Sequence, residues 1–156
     1  MPANKPNDLE QLAAIKNLLS AAPSATAALD QTMAYLHSHR QDYHWVGIYR
    51  LAGDELVIGP YRGPVTDHAR IKVGQGVCGT AVAQNRNQVV ADVRELTNYL
   101  ACNLETRSEI VVLIREPRTQ EILGQIDVDG TKVNQFGPSE EQFLTKVAAL
   151  LAHYFD

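Results

Sequence analysis

Two cysteines, Cys78 and Cys102, are the residues best suited to chemistry in this sequence. Cys78 follows Gly74 and Gly76 at the predicted start of a helix, where the helix dipole and unpaired N–H groups favour a thiolate. Cys102 lies in a long stretch without periodicity, and the positive charge of Arg107 could favour its thiolate as well. The alternative is that both are small buried hydrophobes. Their settings favour reactive thiols, and only one pairing is possible.

Three carboxylates near two predicted strands form a second candidate site. Glu109 begins one strand, and Asp127 and Asp129 lie at the end of the next. Because side chains alternate along a strand, Asp127 and Asp129 share one face while Val128 points to the other. This face is either solvated strand surface or a binding site. Like charges this close repel unless a cation or an ammonium group lies between them.

Other patterns that could carry chemistry are weaker. The motif Gly74-x-Gly76-x-x-Gly79 matches the fingerprint of dinucleotide sites, but the helix after it is too short and polar, and no Lys follows as in a P-loop. Three histidines fit no recognised zinc spacing, namely His37, His39 and His44. The G-x-S-x-G signature of serine hydrolases does not occur. We therefore predict neither a cofactor nor a metal.

Hydrophobic periodicity and turn signals predict the elements that position these residues. Helices are expected at Asp8–Ala22, from a Ser24 cap to His37, at Cys78–Asn85, and after a Ser139-x-x-Gln142 capping box. Strands are expected at Tyr43–Leu51, Glu55–Ile58, Ala69–Val73, Val89–Val90, Glu109–Ile114 and Glu121–Val128, with loops at Gly59–Asp67 and Asp92–Thr106.

This order of elements lacks the strand–helix alternation of a doubly wound parallel sheet. It predicts an α+β fold with a central antiparallel sheet of about six strands, flanked by N-terminal and C-terminal helices. No repeat or linker divides the chain, so residues 1–156 are expected to form one domain. Residues 1–6 are candidates for disorder.

Composition and charge argue against two classes of binding partner, nucleic acids and membranes. The chain of 156 residues has a formal net charge of −4 and no run of basic residues, which argues against a nucleic-acid partner. It has no apolar run long enough to cross a bilayer, and its first residues lack the plan of a secretory signal. We expect no membrane partner and a cytoplasmic location, where thiols stay reduced.

Five segments, taken in order, resemble the free methionine-R-sulfoxide reductases. They are His44–Tyr49, Ile58–Pro64, Gly76–Ala81, Leu100–Cys102 and Arg107–Val112. Each is weak alone, but their joint order and spacing within residues 9–155 is specific. The resemblance implies a GAF fold, a central antiparallel sheet flanked by helices, commonly as a homodimer.

The same resemblance implies roles for individual residues. Cys102 corresponds to the family's nucleophile, and Trp45 corresponds to the aromatic wall of the substrate pocket. Glu109, Asp127 and Asp129 correspond to the carboxylates that hold free methionine sulfoxide. For Trp45, the only tryptophan of the chain, a plain core position is the alternative.

The chain departs from the family at one cysteine. Family members carry a third cysteine, which serves as a resolving thiol, at the position that His68 occupies here. Recycling would then need another thiol. Cys78 is retained and could take over as the resolving partner of Cys102.

These observations predict thiol-dependent reduction of free L-methionine-(R)-sulfoxide through a Cys102 sulfenic acid. Asp127 or Glu109 would donate a proton, and a disulfide with Cys78 would be reduced by thioredoxin or another thiol. The alternative is a non-catalytic GAF domain that binds or senses a small molecule. A third hypothesis is a redox sensor in which the two cysteines form a signalling disulfide. Because GAF domains host many functions, the retained Cys102 and carboxylates decide our preference for the enzyme.

Overall fold

A computed structural model describes residues 6–100 and 104–155 of the chain. Within these residues, the α-helices are α1 (Pro6–Ala21), α2 (Ala25–His39), α3 (Gly76–Gln84) and α4 (Pro138–Leu151). The β-strands are β1 (Trp45–Ala52), β2 (Glu55–Arg62), β3 (Arg70–Lys72), β4 (Gln88–Val90), β5 (Ser108–Arg115) and β6 (Ile122–Gly130). None of the described helices is long and apolar enough to span a membrane.

The strands form one antiparallel sheet in the order β3-β2-β1-β6-β5-β4. The middle of the sheet is β1, β6 and β5, and β5 is buried along nearly its whole length. A run of β-branched residues, Ile110-Val111-Val112, suits this central position because such side chains pack well on a pleated surface. The predicted α+β fold with an antiparallel sheet is confirmed.

The two faces of the sheet bury different sets of side chains. One face packs against α1, α2 and α4, and Ile126 and Val128 of β6 lie in that core. The opposite face packs against α3 and holds Trp45, Tyr49 and Val111. Because neighbouring residues of a strand point to opposite faces, each central strand contributes to both clusters.

A half-buried arginine joins three of the helices on the first face. Arg40, which caps α2, pairs with Asp8 of α1 at 2.9 Å and with Glu140 of α4 at 2.8 Å. Its guanidinium carbon lies 3.8 Å from the centre of the Phe143 ring, and Tyr43 donates a hydrogen bond to Glu140. The paired charges compensate one another, which makes their burial tolerable.

Several element boundaries differ from the sequence predictions. Strand β2 continues to Arg62, so the loop predicted from Gly59 was wrong at its start; Tyr61 and Arg62 pair with β1 after a shift of register. A β-bulge of this kind lets a strand carry Gly and Pro and continue pairing. Strand β6 reaches Gly130 and therefore includes Asp129.

The predicted capping box at Ser139 was also wrong. Helix α4 begins at Pro138 with Gly137 as its N-cap, and no side chain caps it. Proline suits the first helical position because its missing N–H would be unpaired there anyway. By contrast, the predicted Ser24 cap of α2 is confirmed, since its side chain accepts a hydrogen bond from the Ala27 amide at 3.0 Å. The candidates for disorder, residues 1–6, lie outside the described residues except for Pro6, where α1 begins.

Candidate active site

The three central strands bring nine side-chain positions onto the face that packs against α3. Residues directly opposite one another in antiparallel strands point to the same side of the sheet. The register places Trp45 of β1 opposite Asp129 of β6, which is in turn opposite Glu109 of β5. The complete rows are Trp45–Asp129–Glu109, Gly47–Asp127–Val111 and Tyr49–Gln125–Leu113.

The three predicted carboxylates are buried together in this face. Glu109 is 4% exposed, Asp127 is 0% exposed and Asp129 is 1% exposed, so the hypothesis of a solvated strand face was wrong. No oxygen of the Asp127 or Asp129 carboxylates has a hydrogen-bond partner among the described residues, and no described Lys or Arg forms an ion pair with either. Buried carboxylates without a counter-charge are costly, so this arrangement is suited to a positively charged ligand.

Burial changes the proton affinity of the two aspartates. Loss of solvation raises the pKa of Asp127, although the nearby Glu109 and Cys78 side chains offset part of the increase. The pKa of Asp129 is raised well above its ordinary value, first by burial and then by the charge of Asp127. A carboxyl group in this state can hold a proton near neutral pH and donate it.

Cys78 lies directly against these carboxylates. It is in the first turn of α3, as predicted, and is 4% exposed. Its Sγ is 3.9 Å from Oε2 of Glu109. Atoms of Cys78, Glu109 and Asp127 that could bind a cation all lie within 4.8 Å of one another. The cysteine predicted as a resolving thiol therefore lies within the carboxylate cluster of Glu109, Asp127 and Asp129.

Two glycines near Cys78 are required by the local backbone conformation. Gly76 adopts a φ of +63°, a left-handed conformation that favours glycine. A Cβ on Gly79 would lie 2.5 Å from the carbonyl oxygen of Lys72, so only glycine permits this close approach of α3 to the preceding turn. These contacts account for two of the three glycines in the motif that resembles a dinucleotide fingerprint.

Trp45 forms an aromatic wall beside the carboxylates. It is 1% exposed and stacks between Tyr61, at 5.2 Å between ring centres, and Tyr49, at 6.3 Å. The indole lies across Gly47, where an added Cβ would approach Trp45 Cη2 to 2.5 Å. Gly47 is directly opposite Asp127, so the glycine makes room for the ring next to that carboxylate. Trp45 Nε1 is buried without a hydrogen-bond partner among the described residues.

Gln125 is a site residue that the sequence reasoning missed. It is 0% exposed, and its Nε2 donates a hydrogen bond to the carbonyl oxygen of Cys78 at 3.1 Å. Its Oε1 is buried without a partner in the described part of the chain. Strand alternation could have found it, because Gln125 precedes Asp127 by two residues and must share its face.

The remaining predicted residues are Cys102 and His68. Cys102, the predicted nucleophile, lies outside the described residues. His68 is half-buried in the connection between β2 and β3, and its carbonyl oxygen accepts a hydrogen bond from the Tyr49 hydroxyl at 2.9 Å. This contact links the segment around His68 to the aromatic wall.

Comparison with known proteins shows which family the chain is similar to. A GAF domain family model matches residues 24–154. The free methionine-R-sulfoxide reductase of Escherichia coli is 38% identical over 134 residues, covering 86% of this chain and 79% of that protein. The reductase of Neisseria meningitidis, solved in complex with its substrate, superposes with a TM-score of 0.88 at 33% identity, covering 95% of this chain and 87% of the other.

A substrate complex of the Staphylococcus aureus fRMsr gives a TM-score of 0.86 at 30% identity over 100% of both chains. These similarities extend over most of the chain and include the strands that hold the carboxylates. The chain belongs to the GAF domain family and, within it, to the free methionine-R-sulfoxide reductases.

Proposed function

We propose that this protein reduces free L-methionine-(R)-sulfoxide to L-methionine, with Cys102 as the nucleophile. The observation that carries the proposal is the buried carboxylate cluster, in which Asp127 and Asp129 have no counter-charge among the described residues and lie near Trp45 and Cys78. Membership in the reductase family supports the same substrate.

The carboxylate cluster explains why the substrate would be a free amino acid. A free amino acid carries an ammonium group, which a residue within a protein chain lacks. That group can compensate the charge of Asp129, and its N–H donors match the carboxylate oxygens that have no partner among the described residues. The stacked indole of Trp45 offers an apolar surface for the thioether portion, since sulfur makes favourable contacts with aromatic rings.

In the proposed reaction, the Cys102 thiolate attacks the sulfoxide sulfur while a carboxylic acid, Asp127 or Glu109, gives its proton to the oxygen. The S–O bond of the substrate breaks, and the oxygen ends on Cys102 as sulfenic acid. The substrate sulfur gains two electrons and Cys102 loses two. The raised pKa of Asp127 supports its role as the acid, because the group can remain protonated until the oxygen needs the proton.

Recycling would follow by condensation. The Cys78 thiol displaces water from the Cys102 sulfenic acid to form a disulfide, which thioredoxin or another thiol then reduces. The position of Cys78 in the carboxylate cluster, 3.9 Å from Glu109, supports a role close to the chemistry. In this proposal it replaces the third family cysteine, whose position the resemblance assigns to His68.

The test is methionine formation from free L-methionine-(R)-sulfoxide, with dithiothreitol and separately with thioredoxin and its reductase. We expect Cys102→Ser to abolish activity with both reductants. Cys78→Ser should lose turnover with thioredoxin while keeping single turnovers, in which each protein molecule forms one methionine. An active Cys102→Ser enzyme would overturn the assignment of the nucleophile. Binding without turnover in folded wild-type protein would instead support a non-catalytic GAF domain.

Three wider aspects belong to the same proposal. We propose that residues 1–156 act as one domain, that the enzyme works as a homodimer as the family resemblance implies, and that it works in the cytoplasm. A reducing compartment suits the cycle because the thiols must be returned to the reduced state after each turnover. Size-exclusion chromatography with light scattering tests the dimer directly.

A further inference from the structure

We propose that Cys78, Glu109 and Asp127 form a binding site for a zinc-class divalent cation, and that the cation competes with the substrate for this site. The inhibition rests on the proposed function, whereas binding of the metal does not. The metal ion would take the place of the substrate ammonium group and compensate the charge of the carboxylates. The site combines one thiol and two carboxylates.

The spacing of the ligand atoms fits a tetrahedral cation. Zinc binds cysteine sulfur at about 2.3 Å and carboxylate oxygen at about 2.1 Å, so the two atoms lie roughly 3.6 Å apart around one ion. Cys78 Sγ and Glu109 Oε2 are 3.9 Å apart, which requires a movement of only a few tenths of an ångström. All three ligand atoms lie within 4.8 Å of one another, so small side-chain rotations bring Asp127 within bonding distance.

The choice of ligands favours zinc over magnesium or calcium. Magnesium and calcium prefer shells made only of oxygen, whereas zinc accepts sulfur and oxygen together. The thiol loses its proton to solvent as the sulfur–metal bond forms. Three protein ligands leave the fourth tetrahedral position open for water.

A second observation, independent of the three-ligand cluster, points to a positively charged ligand. Asp129 is 1% exposed, lies directly opposite Glu109, and neither of its carboxylate oxygens has a hydrogen-bond partner among the described residues. This carboxylate lies beside the ligand set without belonging to it. A divalent ion bound at Asp127, in the next row of the sheet, would compensate the charge of Asp129. The ion could also bind the Asp129 carboxylate through a bridging water.

The elements that hold the ligands are rigid enough to preorganise the site. Glu109 and Asp127 are on neighbouring central strands, and Cys78 is held in the first turn of α3, where Gln125 binds its carbonyl oxygen. Ligands fixed by strands and a helix lose little freedom when the ion binds. The same rigidity places the ion on the surface that the substrate ammonium would occupy.

The direct test is zinc binding by the full chain, reduced and freed of thiol reagents. Cys102→Ser provides the background, so that Cys78 is the only thiol present. We expect one Zn²⁺ per chain by equilibrium dialysis, and Co²⁺ as a probe should give a thiolate-to-metal charge-transfer band. Adding Cys78→Ser should abolish that band. Adding either Cys78→Ser or Asp127→Asn should weaken Zn²⁺ binding by at least the roughly tenfold to hundredfold that loss of an outer-shell partner costs. Glu121→Gln, at an exposed position, is the matched control and should bind as its parent does.

Circular dichroism and melting temperature confirm that each variant folds, and Glu109→Gln replaces Asp127→Asn if the latter does not. Zinc binding that persists unchanged without Cys78, or no binding at all, would overturn the site. Inhibition is measured separately on wild-type protein in single turnovers without dithiothreitol or thioredoxin, because both bind zinc, and rising substrate should relieve it. Zinc binding at Cys78 without inhibition of an active enzyme would overturn the competition. Zinc binding by a protein that lacks reductase activity would leave the metal site standing and reject the proposed function.

Discussion

The substitution Gly47→Ala tests the packing of the aromatic wall against the carboxylates. An added Cβ would lie 2.5 Å from Trp45 Cη2 and 2.7 Å from Tyr61 Cβ, both closer than real Cβ atoms come to their neighbours. The strand backbone around Gly47 is fixed by pairing on both sides, because β1 lies between β2 and β6. The indole must therefore rotate or the strand must shift.

Forcing an extra carbon into a well-packed core costs about 1–3 kcal/mol. For a chain of this size, we therefore expect the melting temperature to fall by about 2–12 °C. Displacing the Trp45 ring should also raise KM for methionine sulfoxide more than it lowers kcat, because in the proposed function the wall would contact the substrate in the ground state and in the transition state alike.

The assay is urea unfolding together with steady-state kinetics. Glu121→Gln is the control, because this exposed position lies outside the aromatic wall and the change should alter stability by less than about 0.5 kcal/mol. Adding Trp45→Phe to Gly47→Ala removes the clashing end of the indole, so the double variant should lose less stability than the sum of the single variants. A Gly47→Ala protein as stable as wild type, with unchanged KM, would refute the close packing of Trp45 over Gly47.

Three further predictions concern buried polar groups. The pKa of Asp129 is raised well above its ordinary value of 3.8, so the folded protein holds the proton of this carboxyl group more tightly than the unfolded chain does. The folded protein therefore loses stability as the pH rises from the pKa of the unfolded chain to that of the folded protein. In urea unfolding, Asp129→Asn should therefore match wild type near about pH 3 and exceed it at about pH 8. Gln125→Leu should lower kcat/KM about tenfold or more, because it removes the hydrogen bond to the Cys78 carbonyl oxygen. It should change the free energy of unfolding by less than about 1 kcal/mol, because it also removes an amide oxygen that is buried without a partner among the described residues. Arg40→Met should cost about 3–5 kcal/mol because it leaves Asp8 buried without its partner.

Each of these has a result that would count against it. Equal stability of Asp129→Asn and wild type across the whole pH range would mean that Asp129 does not titrate abnormally. Gln125→Met keeps the approximate length of the side chain but has no hydrogen-bond donor, so activity equal to wild type would show that the bond to Cys78 is dispensable. For Arg40→Met, adding Asp8→Asn should recover part of the lost stability. No recovery would mean that the unpaired carboxylate is not the cause.

The sequence alone determined the secondary structure around the site and which side chains share a face of a strand. Strand alternation alone predicted that Asp127 and Asp129 share a face, and the structure confirms it with Val128 in the opposite core. Periodicity predicted the helices and strands because each depends on a spacing of 3.6 or 2 residues within one segment. Boundaries failed where distant pairing or a terminal proline decided them, as at Arg62 and Pro138.

What only the tertiary structure decided is which face became a site. No local rule states whether the face with Asp127 is solvated or buried, because that depends on whether α3 packs over it. The same long-range packing places Cys78 3.9 Å from Glu109, 31 residues away in the chain, and joins Gln125 to Cys78 across 47 residues. Residue type and spacing fix which groups can share a surface. The register between strands and the packing of one helix fix which of them meet, because those choices depend on contacts between segments that are far apart in sequence.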